Sequence, residues 1–115
     1  MALHHASSGE VVDLRPLGSK LADVHTAALV KTDSFEAIRL VLRAGEELPH
    51  HRITSKFTLH CIEGRVVLEL PDRVLELGSH EWIFIDGDVP HALRAIEDAS
   101  LLLTIMLPAA GQSED

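Results

Sequence analysis

The chain has 115 residues, 46% hydrophobic and 3% aromatic, with a formal charge of −8 at pH 7. That length makes one domain, able to bury roughly two thirds of its unfolded surface without disulfide or metal staples. The acidic balance, with Lys and Arg scattered singly, argues against nucleic acid and against an anionic membrane surface, both of which need clustered cations.

Tyr is absent and the only bulky rings are Trp82, Phe35, Phe57 and Phe84, so Leu, Ile, Val and Ala must pack the core. The one cysteine, Cys61, excludes an intramolecular disulfide and fits a reducing compartment. The N-terminus lacks a basic flank before an apolar run, and Leu101–Leu107 is too short to span a bilayer. A soluble cytoplasmic protein is the expectation.

In chain order, residues 1–10 are small and polar and are expected to form a flexible tail. Val11–Leu14 reads as a first short strand, stopped by Arg15-Pro16-Leu17-Gly18; Leu21–Val30 has no clean period, leaving strand and helix open. Phe35–Leu42 alternates, with Glu36, Ile38, Leu40 and Leu42 on one face. Phe57, Leu59 and Cys61 share the next strand's face, opposite Thr58, His60 and Ile62, and Glu63-Gly64 signals a tight hairpin. Strands follow at Arg65–Leu70, Arg73–Leu77, Trp82–Ile85 and His91–Ile96; Leu101–Leu107 reads as a fully or nearly fully buried strand. Residues 11–107 form the expected domain and 108–115 a second flexible tail. Short strands between Gly, Pro and Asp turns point to an all-β sandwich or barrel.

The stretch Gly45–Gly64 holds the pair His50-His51 and ends on a strand, and Asp86-Gly87-Asp88-Val89-Pro90-His91 echoes it. In this spacing the chain resembles the cupin superfamily, small jelly-roll (double-stranded β-helix, RmlC-like) barrels, and is similar to single-domain cupins of undefined activity. Gly45, His51 and Gly64 fall at the spacing of the first cupin motif, and His91 fits the histidine of the second. The resemblance covers about residues 35–107. In metal-binding cupins the two motifs supply three histidines and a glutamate to one ion; here the other two positions are Ile53 and Phe57, and the later asparagine is missing.

The resemblance therefore implies His51 and His91 as metal ligands, with a third donor to be found among His50, His60, Cys61 and His25, and His80 as a further spare. Parity turns Phe57, Leu59 and Cys61 inward and His60 outward, and His50 reaches the site only if residues 46–52 form a loop. Ile53, Phe57, Leu59, Cys61 and Leu93 are the expected pocket lining. The cofactor is one divalent ion (Zn, Mn, Fe or Ni) or none. Against these readings, His51 and His91 are equally pocket histidines without metal, and Cys61 a small buried hydrophobe. The acidic pairs Glu46-Glu47, Asp86/Asp88 and Glu97-Asp98 read as turn and surface residues. Three functions follow: a metal-assisted oxygenase, isomerase or lyase on a small organic molecule; a metal-free small-molecule-binding module that senses or sequesters; or an accessory protein that self-associates. Family resemblance implies a homodimer in each.

Overall fold

The computed structural model describes residues 5–51 and 54–108, and the side chains of residues 49–51 lie outside that description. Nine strands follow a single 3-10 turn at Gly18–Asp23: β1 (Ala27–Lys31), β2 (Phe35–Leu42), β3 (Glu47–His51), β4 (Phe57–Glu63), β5 (Arg65–Glu69), β6 (Val74–Gly78), β7 (Trp82–Ile85), β8 (His91–Ala95) and β9 (Ala99–Met106). They form two antiparallel sheets, ordered β1-β2-β9-β4-β7 and β3-β8-β5-β6. Strands at consecutive places in the chain repeatedly change sheet (β2 to β3, β3 to β4, β4 to β5, β6 to β7, β7 to β8, β8 to β9), which is the jelly-roll way of closing a barrel. No described helix is long and apolar enough to cross a membrane.

This topology changes the reading of Glu63-Gly64. It is a corner between the two sheets, since β4 pairs with β7 and β9 while β5 pairs with β6 and β8. Gly64 is still required: its φ is +85°, and a Cβ there would collide with the backbone of Asp98 and Ala99. The close approach lets two corners, after β4 and after β8, pack on one another.

The inner faces alternate as the sequence period demands. Leu40, Leu42, Phe57, Leu59, Cys61, Val66, Leu68, Leu93, Ala99 and Leu101 merge into one core, each fully buried Leu or Phe contributing about 1.5–3 kcal/mol. β9 is buried on both faces only at its start: Ser100 and Leu101 are 0% exposed, whereas Met106, on the same face as Ser100, is 40% exposed. The expectation of a fully buried strand there fails because the outer face of its sheet is not covered along its whole length. Trp82 and Phe84 lie on that same outer face.

Val11–Leu14 is not a strand. Its carbonyl bonds go elsewhere: the Arg39 guanidinium donates to the carbonyls of Asp13 (3.5 Å) and Arg15 (2.7 Å), so a side chain takes the place of a ladder. Leu21, 2% exposed, anchors the 3-10 turn that follows. The undecided segment 21–30 thus divides into the end of that turn and β1.

Candidate functional site

The histidines meet through β3 and β8. The register pairs Leu48 with Leu93 and then His51 with His91, so three steps along β3 match two along β8. This one-residue bulge decides which of the adjacent histidines stands opposite His91, and it selects position 51 over position 50. Pro49 lies inside the bulge, on an edge strand. Proline lacks the N–H a regular ladder needs, so edges and bulges are where a sheet tolerates it.

His91 opens β8 after the Asp86-Gly87-Asp88 turn, where Asp88 takes a left-handed φ of +62°. Its ring is buried, 7% exposed, and packs on Phe57 with ring centroids 4.9 Å apart at 42°. The Val89 carbonyl can only accept, so His91 Nδ1–H donates to it at 3.0 Å. That bond holds the ring in place at the start of β8.

The inner rungs locate this site at one end of the barrel. Across β2-β9-β4-β7 they read Glu36–Ile105–Phe57–Ile85, then Ile38–Leu103–Leu59–Ile83, then Leu40–Leu101–Cys61. The last rung is dry, with Leu101 and Cys61 at 0%. In the first two, Glu36, Ile38, Leu103, Ile105 and Ile83 are half-buried, so the barrel opens on the Phe57–His91 side. Phe57, Leu59 and Leu93 are core members of that wall, at 2%, 2% and 4% exposure. Ile53 lies outside the described residues, as do the side chains of His50 and His51.

The remaining candidates are elsewhere. Cys61 sits in the dry rung, its Sγ–H directed to the carbonyls of Glu63 (3.4 Å) and Gly64 (3.6 Å), and desolvation pushes its thiol pKa up. A thiol held neutral is a poor metal ligand. His60 faces outward beside Trp82 and Leu102. His25 is exposed, in a shallow groove of about 410 Å³ with Arg43 and Glu46. His80, at φ +72° in the β6–β7 turn, donates its N–H to the Cys61 carbonyl at the closed end. Among the described residues no three His, Cys, Asp or Glu side chains are grouped to hold a metal.

Two residues carry more than sequence reasoning assigned them. Glu63 accepts from Leu17 N (2.7 Å), Gly18 N (3.0 Å) and Ser100 Oγ (2.5 Å). Desolvation works to raise its pKa, but these hydrogen bonds outweigh it and hold the carboxyl below its ordinary value. It ties the N-terminal segment to the closed end, a contact across 46 residues that no local pattern announces. Glu36 is the inner-face carboxylate of the open end, and the alternation of β2 did signal that.

No family model matches the chain, and no curated protein does. Solved structures do. A conserved protein of unknown function from Streptococcus pyogenes superposes with a TM-score of 0.75 at 19% identity, over 96% of this chain and 100% of that one. A cupin superfamily protein from Desulfitobacterium hafniense gives 0.72 at 14% identity, over 85% and 95%. An RmlC-like cupin from Desulfovibrio desulfuricans gives 0.66 at 22% identity, over 90% and 97%.

Proposed function

From the premise that the chain folds as a cupin barrel open at its His91 end, we propose that it takes a small organic molecule there, with His51 and His91 as the ligands of one divalent ion. The observation that carries this is the bulge: it aligns position 51 with a buried imidazole whose Nδ1 is already committed to a backbone carbonyl. Paired positions of an antiparallel ladder share a face, which brings the two residues within reach of one centre. The donor chemistry fits a borderline cation such as Zn, Mn, Fe or Ni. When bound, the ion supplies Lewis acidity toward a ligand oxygen, the chemistry an oxygenase, isomerase or lyase draws on. The protein's own part is to orient and to dry: Phe57, Leu103 and Ile105 supply an apolar wall for the carbon skeleton and keep water from it.

A metal-free reading has its own support. Phe57, at a ligand position of the resembled motif, stacks on His91, and in that reading the imidazole orients a bound molecule by hydrogen bonding alone. Elemental analysis of protein purified without added metal decides between them. The metal reading expects close to one ion per chain; substoichiometric metal, with no uptake of added Zn, Mn, Fe or Ni, removes it and leaves the binding module.

Self-association belongs to the same proposal. Trp82 (60% exposed), Phe84 (47%), Met106 (40%) and Phe35 (37%) lie on the outer face of one sheet. A second copy of this chain is the proposed occupant, because a face with these rings around half-buried Leu102 and Thr104 suits a self-complementary, largely uncharged contact. Light scattering is expected to give a dimer, and a monomer at micromolar concentration removes this part.

A further inference from the structure

Lysine and arginine are scattered singly along this acidic sequence, 10 against 18 carboxylates, but the fold gathers three of them. Arg15, Lys20 and Arg39 line one groove of about 350 Å³ together with Asp13, Pro16 and Leu17. We propose that this groove binds the phosphate group of a small molecule. The proposal is independent of the metal reading, since the groove shares no residue with the His91 end.

Two pieces of chain build the groove. Arg39 lies on the outer face of β2, opposite in parity to the core residues Leu40 and Leu42. Its Nη groups donate to the carbonyls of Asp13 (3.5 Å) and Arg15 (2.7 Å), which holds residues 13–15 against the barrel. The stretch that follows is fixed by Glu63, which accepts from Leu17 N and Gly18 N, and by the buried side chain of Leu21. Lys20 lies between these anchors, in the 3-10 turn. Walls tied down on both sides of Lys20 are preorganised, so a ligand does not have to order them.

The charges of the groove are left to act on an anion. Asp13 is the one carboxylate among the lining residues, and Arg15 already occupies it twice, through Nε at 2.8 Å and backbone N at 2.9 Å. Glu63 has its oxygens taken by two N–H groups and the Ser100 hydroxyl, and no ion pair joins it to Arg39. Among the described residues the Lys20 ammonium has no ion-pair or hydrogen-bond partner. Arg39 Nε–H is buried with no hydrogen-bond partner, whereas buried donors are almost always paired. Three cations suit a group with three acceptor oxygens and close to two negative charges better than a carboxylate with two oxygens and one charge. The volume leaves room for a short carbon skeleton against Pro16 and Leu17. Arg15 is 81% exposed, so the groove is open to water and a roughly millimolar dissociation constant is expected.

The test is titration of the isotope-labelled full chain with inorganic phosphate and with phenyl phosphate, read by amide chemical shifts at constant ionic strength. Wild type, Lys20→Gln and the control Arg73→Gln, a cation exposed between β5 and β6, are compared. Saturable shifts are expected at residues 13–15, 17–20 and 39, with phenyl phosphate the tighter of the two. Lys20→Gln is expected to weaken binding about fivefold, the upper end for an exposed ion pair, and Arg73→Gln to leave it unchanged. Because Lys20 is exposed, its replacement is expected to leave the remaining amide signals in place. Shifts that do not saturate, wild-type affinity in Lys20→Gln, or an equal loss in Arg73→Gln overturns the site. Succinate binding more tightly than phenyl phosphate overturns the assignment to phosphate.

Discussion

The two ends of the barrel are made from the same strands and solve different problems. At the end closed by Gly45, Gly64 and Gly78, the innermost residues are Cys61, Val66, Ala99 and Leu101, all 0% exposed, and the carboxylates nearby are hydrogen-bonded: Glu63 to two N–H groups and a hydroxyl, Glu81 to Gly78 N and Asp98 to Ala44 N. At the other end Phe57, Leu59, Ile85 and His91 are buried, but Glu36, Ile38, Leu103 and Ile105 beside them on the inner face are half-buried. The comparison teaches that tight packing and inward-facing polar groups lie at different places along the barrel axis. The closed end is packed and hydrogen-bonded for its own sake; the open end keeps chemistry-bearing side chains in a partly dry wall.

The largest effect that breaks this contrast is truncation of the core. Leu101→Ala is expected to cost about 2–5 kcal/mol, because a fully buried Leu leaves a cavity that close-packed neighbours cannot fill. Ile105→Ala, four residues along the same strand but half-buried, is expected to cost about half as much or less. Urea denaturation of the two variants measures both, and equal losses would erase the distinction between the ends.

Next comes the Glu63 tie. Glu63→Gln is expected to lose about 1–3 kcal/mol at neutral pH, since charge-assisted hydrogen bonds to Leu17 N, Gly18 N and Ser100 Oγ are weakened together. The sign with pH is fixed: the folded-state pKa is lowered, so the stabilisation is present above the ordinary value of 4.5 and is lost as pH falls through the folded value. The stability gap between wild type and Glu63→Gln should therefore narrow below about pH 4.5; a gap constant from pH 7 to pH 3 would contradict the tie.

Smaller still is a chemical contrast. The Cys61 thiol, raised by burial and enclosed at the closed end, is expected to resist a disulfide reagent at pH 8 until denaturant opens the barrel. Rapid labelling of the native protein would show that this end is not sealed. The smallest effect on fold stability is expected from Trp82→Ser, within about 0.5 kcal/mol per chain once the oligomeric state is held fixed. Its consequence should appear in the mass by light scattering.

Much of this architecture is legible in the residues. The alternation in Phe35–Leu42 and Phe57–Cys61 placed the right side chains inward, and the spacing of Gly45, His51, Gly64 and His91 pointed to a jelly roll. What stayed hidden depends on contacts distant in sequence. Val11–Leu14 looks like a strand by composition, but a strand needs a partner, and the carbonyls of Asp13 and Arg15 found Arg39 instead. Gly64 signalled a turn, yet only the pairing of β4 and β5 with different neighbours makes it a corner between sheets. For the site, parity along a regular strand separates His50 from His51, and it was the spacing from Gly45 that singled out position 51. The bulge around Pro49 is what sets it opposite His91, and a proline in a strand was its one local sign.

The central proposal is that a divalent ion binds at the open end, and the most direct measurement is paramagnetic broadening by Mn2+ of amide signals from isotope-labelled protein. Broadening is expected to spread from His91 to Phe57 and Ile105, and to leave Cys61, Val66 and Ala99 sharp. Broadening centred on Cys61 or His25, or none around His91, would contradict it.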